Sequence, residues 1–260
     1  RIESDSLGTK AVDDAAYYGI HTERARENFP VNESTVDGKT FKEFELLVKE
    51  ACANANAETG RLAADKHRMI VNAMRSYFWT IFDRFCFRLA DSSYFQGGAG
   101  TSTNMNANEV IANLAAEMAG AKKGTYELIH PNDDVNMAQS TNDVYPTAGH
   151  MALVEYTTDL LDQLEKTASS FLKLAHEHRF SFKKWAVPSL KMQVPTTFGQ
   201  GVSRVLSCPH ARLQANRSSL SFFVLKCPLA ERHRHQHLAQ TQEYCDAGFP
   251  RIASVYSGMP

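Results

Sequence analysis

The chain has 260 residues, 43% hydrophobic and 22% charged, with a formal net charge of -1. That balance suits a globular protein with room for one large core or two modest ones. It excludes the cationic surplus that neutralises nucleic-acid phosphates and any apolar run near the roughly 20 residues that cross a bilayer, so neither nucleic acid nor membrane is expected as a partner. Five cysteines (Cys52, Cys86, Cys208, Cys227 and Cys245) have neither paired nor metal-type spacing, which predicts reduced thiols. With no charged-then-apolar opening segment, the expected location is the cytoplasm.

Residues 1–40 are polar and turn-rich and predict an arm against a larger body. From Phe41 to about Arg75, apolar residues recur at three- and four-residue spacing among good helix formers, which predicts helix. Residues 101–119 predict a helix entered from a glycine turn, with Met105, Val110, Ile111, Leu114, Ala115 and Met118 forming its apolar stripe. Pro131 with Asn132 marks a break. Thr147 to His178 carries the strongest helical pattern. Leu153, Leu160, Leu161, Leu164, Phe171, Leu172 and Leu174 share a broad face, and Glu155, Asp159, Asp162, Glu165 and Lys166 fall largely opposite. Such a helix runs about 48 Å and suits a helical bundle. The predicted fold class is all-α, with a small irregular N-terminal domain over 1–146 and the start of a long-helix bundle over 147–260. An α+β fold would instead need strands around 180–230.

Two segments carry chemistry: QGGAGTSTNMNANEV at 96–110 and QSTNDVYPT at 139–147. Each sets small hydroxyl and amide side chains beside glycine or proline, with almost no charge. Glycines let backbone N–H groups approach a ligand. Ser and Thr hydroxyls add donors that aim at a carboxylate without neutralising it, which suits a reaction in which negative charge grows on a bound oxyanion. Turn formation is the competing reading. Ser102 and Thr103 can equally be caps of the following helix.

These segments resemble signatures of the aspartase/fumarase superfamily, and so do RIESDSLGTKAV at 1–12, AAYYGIHTERARENFPV at 15–31 and HPNDDVNMAQSTNDVYPTAGH at 130–150. GGAGTS at 97–102 and STND at 140–143 resemble the aspartase branch. The resemblance covers roughly residues 1–73 and 94–179, with shorter islands afterwards. It implies β-elimination of ammonia from L-aspartate to give fumarate without an organic cofactor, in a homotetramer whose bundle core is shared between subunits. Fumarate hydratase, or a non-catalytic remnant that keeps the lyase N-terminal fold, is the alternative. By the same resemblance, Thr101, Ser140 and Thr141 face the substrate's β-carboxylate, Asn142 lies near the departing amino group, and Gly97, Gly98 and Gly100 let the backbone close around it. His130 resembles part of a second carboxylate-binding loop, or serves packing.

Three stretches break the resemblance. Lys184–Gln193, KWAVPSLKMQ, can be encoded so that a shifted frame reads Met-Gly-Arg-Thr-Gln-Leu-Lys-Asp-Ala, close to the family's pattern before VPTTFGQ at 194–200. Residues 74–84 behave likewise. So do residues 230–237, where His233, His235 and His237 otherwise mimic a metal site. Frame-shifted islands are therefore expected there, and no metal site. As written, Val187 and Pro188 stand where the family uses a Thr at the amine side. The family's base lies on a GSS-x-MP-x-K-x-N loop that these residues do not contain, and SGMP at 257–260 sits too early to be it. No catalytic base is assigned, and the chain is expected to be an inactive N-terminal fragment holding the carboxylate half of a site.

Overall fold

The computed structural model describes residues 1–30, 39–76, 100–183 and 196–207, with Ala211, Gln214 and Ala215. Helices dominate these residues, as the all-α reading expects. The chain forms two compact units, the first containing Arg1–Ala152 and the second starting at Leu153.

The opening segment is more structured than the predicted arm. Strands β1 (Ile2–Asp5) and β2 (Gly8–Ala11) pair antiparallel, with Ile2 opposite Ala11 and Asp5 opposite Gly8. The Asp5 carboxylate accepts from Leu7 N–H at 2.9 Å and so stabilises the turn. The Arg1 guanidinium donates to the carbonyls of Asp13, Ala16 and Tyr18 at 2.7–2.8 Å. Those bonds hold the hairpin against the turn-containing run that leads into helix α1 (Ile20–Asn28).

The helical pattern of 41–75 resolves into two elements, α2 (Lys39–Glu58) and α3 (Ala64–Ser76). The helical stretch expected there is interrupted at Gly60, whose φ of +72° no helix accepts. The Asn56 carbonyl takes Arg61 and Leu62 N–H groups, closing α2 as a glycine-terminated helix end does. Helix α4 (Thr101–Met118) runs through the middle of the first unit. Val110, Ile111, Leu114 and Ala115 are buried as predicted, whereas Met118 is 53% exposed. The single stripe was too narrow a description: Asn104, Asn106, Asn108, Glu109 and Asn113 are also buried, on the remaining faces. Hydrogen bonds pay for that burial in part, since Asn113 donates to the Tyr17 carbonyl and accepts from Gly124 N–H. Leu46 of α2, Ile70 and Met74 of α3, and Ile111 and Leu114 of α4 join Ile129 in the main core.

Helix α5 (Thr141–Glu177) starts six residues before the predicted Thr147 and passes through Pro146. Pro146 has no N–H for the Asn142 carbonyl, a small loss so near the helix start. Thr147 Oγ1 donates to the Asp143 carbonyl at 2.6 Å in the same turn. Beyond Leu153 the buried positions of α5 are Val154, Leu161, Ala168 and Ala175, a seven-residue repeat of the coiled-coil kind. The predicted broad leucine face is not the buried one. Leu153, Leu160, Leu172 and Leu174 are exposed by 44–58%, and only Leu161 of the seven is buried. Two of these four positions are alanines, and the bulkier leucines, apart from Leu161, point elsewhere. In the second unit β3 (Phe182–Lys183) pairs with β4 (Thr196–Thr197), and residues 198–207 are helical. No described helix is long and apolar enough to cross a membrane.

Candidate functional site

The starts of α4 and α5 lie side by side. Gly100 caps α4 at φ +82°, with no side-chain cap bond, so Ser102 and Thr103 sit inside the helix and are not its cap. A Cβ at Gly100 would come 2.2 Å from the Tyr145 ring of α5. One turn into α4, Asn104 donates from Nδ2 to Thr141 Oγ1 at 3.0 Å. Thr101, at the first position of α4, is exposed. Gly97 and Gly98 fall outside the described residues.

The two predicted hydroxyls at the start of α5, Ser140 just before it and Thr141 its first residue, share one property. Ser140 Oγ accepts from Asn142 N–H at 3.3 Å, and Thr141 Oγ1 accepts from Asn104. A hydroxyl has one proton and two lone pairs. Each therefore has an acceptor role filled by an N–H and keeps its own proton to donate. Asn142 is exposed on the first turn. Helix N-termini present partial positive charge and N–H groups to anions, and the first turn of α4 carries no acidic side chain to occupy it.

Behind these hydroxyls lies a group the sequence reading did not single out. Lys49 of α2 is 1% exposed, and its Nζ donates to Asn104 Oδ1 at 2.7 Å and to Asn136 Oδ1 at 3.5 Å. Asn104 Nδ2 also reaches Asn136 Oδ1, at 3.2 Å. Burial pulls the Lys49 ammonium down to about 8, while the Glu45 carboxylate one turn earlier pulls it up. The signal available in sequence was weak, because a lysine among charged residues in an amphipathic helix ordinarily faces water.

A second polar centre is structural. The carboxylate of Glu109, fully buried in α4, receives Gly19, His21 and Thr22 N–H groups, Thr22 Oγ1 and His21 Nδ1 at 2.7–3.2 Å. It thereby satisfies three of the open N–H groups at the start of α1, and Glu3 accepts that of Ile20 at 2.9 Å. The hydrogen bond to Glu109 raises the His21 pKa above its usual value. His130 has a local role too. Its Nδ1 accepts from Asp133 N–H at 3.1 Å, capping a one-turn π-helix, Pro131–Val135, and Asp134 of that turn pairs with Lys66 at 2.8 Å.

Among the described residues no group of three His, Cys, Asp or Glu side chains could hold a metal ion. His233, His235 and His237, Val187 and Pro188, and most of the three irregular stretches lie outside the described residues. Cys52 is buried as a thiol, and the other four cysteines are likewise outside them.

The chain matches a protein family described as lyase over residues 8–246. It is 43% identical over 209 residues to an aspartate ammonia-lyase of Pseudomonas aeruginosa, covering 77% of this chain and 41% of that protein. Among solved structures it is similar to a "fumarate lyase:delta crystallin" of Brucella melitensis, with TM-score 0.82 and 34% identity, covering 98% of this chain and 54% of that one. It is also similar to a class II fumarase of Schistosoma mansoni, with TM-score 0.82 and 26% identity, covering 100% and 55%. The chain spans less than half the length of the curated relatives it matches.

Proposed function

Because the chain belongs to this lyase family, we propose that the whole protein eliminates ammonia from L-aspartate to give fumarate, and that the starts of α4 and α5 hold the substrate's β-carboxylate. The observation that carries the reading is the paired polarity of Ser140 and Thr141, each of whose oxygens accepts one N–H and keeps its own proton to donate. Removing a proton from the carbon beside a carboxylate makes an aci-carboxylate dianion. A site must bind that dianion better than the ground state to accelerate the step. Neutral hydroxyl donors from Thr101, Ser140 and Thr141, beside two helix N-termini, meet that need without quenching the growing charge. The Cβ proton passes to a base on a loop that these residues do not contain, the electrons of the Cβ–H bond form the double bond, and the Cα–N electron pair leaves with ammonia. Asn142 is assigned to the amine side. A Cα–O leaving group would use the same carboxylate donors. The likeness to a class II fumarase therefore keeps malate dehydration as the second reading.

The whole protein is proposed as a homotetramer in the cytoplasm. The exposed leucines of α5 are the kind of face that helices from other subunits cover, and sedimentation velocity measures the assembly directly.

Calorimetric titration of the purified chain with succinate, L-aspartate and L-malate, run beside an ultraviolet assay for fumarate, tests the site. Thr141→Ala should weaken succinate binding about tenfold, the worth of one hydrogen bond to a charged group. In the full-length protein it should cost about a hundredfold in kcat. Ser102→Ala should leave both nearly unchanged. Equal small effects at Thr141 and Ser102 would reduce the two segments to turns, and preference for malate over aspartate would select the second reading.

A further inference from the structure

Lys49 takes no part in the chemistry above, yet among the described residues it is the largest of the fully buried side chains and is bonded to the back of the site. An asparagine side chain has one acceptor end and one donor end, and which way it points is set by its partners. An ammonium only donates. Lys49 therefore forces Oδ1 of Asn104 toward α2 and Nδ2 toward α5. That Nδ2 in turn fills a lone pair of Thr141 Oγ1, so the Thr141 proton must be given elsewhere. Asn136 Oδ1 receives from both Lys49 and Asn104, which holds the same orientation from a second side.

We infer that Lys49 is a positioning residue that acts through Asn104 to fix the Thr141 hydroxyl as a donor toward a bound carboxylate. This inference rests on the proposed carboxylate site. The chain ammonium to amide to hydroxyl runs in one direction, and each bond polarises the next in the low-dielectric interior. The titratable groups that face Lys49 are Glu45 and Cys52 of its own helix. What α4 and the turn after the π-helix offer it among the described residues, Asn104 and Asn136, is neutral. Loss of the Lys49 proton lets the amine accept as well as donate. Asn104 can then turn over, and the Thr141 hydroxyl can spend its proton on the amide oxygen instead of on a ligand.

A double-mutant cycle on the whole chain tests the relay, with succinate as probe and Lys49→Met and Thr141→Val as the variants. Each single variant should bind succinate about tenfold more weakly than the parent, the cost of one charge-assisted hydrogen bond. The double variant should be no weaker than either. Parent affinity should decline as pH rises through about 8, and that decline should vanish in both single variants. A merely structural lysine would not link its pH dependence to the Thr141 hydroxyl. Additive losses, or a pH decline that survives Thr141→Val, would mean Lys49 acts by its field alone and would overturn the relay while leaving the carboxylate site intact. No effect of Thr141→Val on succinate binding would remove the site reading itself, and the relay's role with it. If Lys49→Met loses helical content because Glu45 is left behind, Glu45→Gln/Lys49→Met replaces it in the same cycle, with the same expected and overturning results.

Discussion

Replacing Glu109 by glutamine swaps one carboxylate oxygen for an NH2 while leaving the shape unchanged. In the parent, Oε1 accepts from His21 N–H and His21 Nδ1, and Oε2 accepts from Gly19 N–H, Thr22 N–H and Thr22 Oγ1. Whichever way the glutamine amide turns, its NH2 meets at least one backbone N–H that cannot reverse its role. The bonds that survive lose their charge assistance, worth about 1 kcal/mol apiece, and the opposed donor costs a further 1–3 kcal/mol. A total of about 4 kcal/mol or more is expected for Glu109→Gln, and Tm should fall by roughly 8–16 °C for a protein of this size. Thermal unfolding followed by circular dichroism at fixed pH measures it. A fall of less than about 2 °C, under 1 kcal/mol, would refute the claim that this carboxylate anchors the start of α1.

Gly100→Ala should be strongly destabilising, because φ of +82° disfavours any Cβ and the Tyr145 ring occupies its place. A loss of about 2 kcal/mol or more is expected, together with weakened succinate binding as the start of α4 shifts, and urea unfolding beside titration reads both. The raised pKa of His21 gives a signed pH dependence. Its contribution to stability is complete below the unfolded value near 6.5 and is lost as pH rises through the higher folded value. The lowered pKa of His150, caused by burial, works in the opposite sense. The stability difference between the parent and His21→Asn should therefore shrink from pH 6 upward, and a difference that grows with pH would contradict the His21–Glu109 pairing.

Much of the helical layout was legible because it rests on local periodicity: α2, α3, α4 and α5 all lie where apolar spacing put them. The errors were also local. Gly60 ends α2 by a backbone angle that helix-forming neighbours disguise, and α5 starts before the predicted Thr147 because a proline near a helix start, Pro146, forfeits only one bond. The leucine face of α5 was legible as apolar but not as exposed, since pattern reports what a face could bury against and not whether this chain supplies it. For the candidate site, the hydroxyls at 140 and 141 stood out through composition and resemblance. Lys49 did not, because its meaning depends on Asn104, 55 residues away. Glu109 likewise resembled a solvent-facing helix residue, and its partners lie 87 to 90 residues earlier.

That last separation has a consequence for how the chain is made. Residues 1–28 leave the ribosome long before α4, yet the acceptor for the Gly19, His21 and Thr22 N–H groups at the start of α1 is a side chain of α4. Closing a loop of that length is entropically slow. The leading segment must therefore wait, uncommitted, while some eighty further residues are synthesised, a delay of several seconds at ordinary translation rates. Through that interval only Glu3, which accepts from Ile20 N–H, stands at the head of α1, and the Gly19, His21 and Thr22 N–H groups await Glu109. Proteolysis and capture by holding chaperones compete for this leading stretch before the chain can lock it, so the yield of folded protein should be sensitive to translation speed between codons 28 and 109.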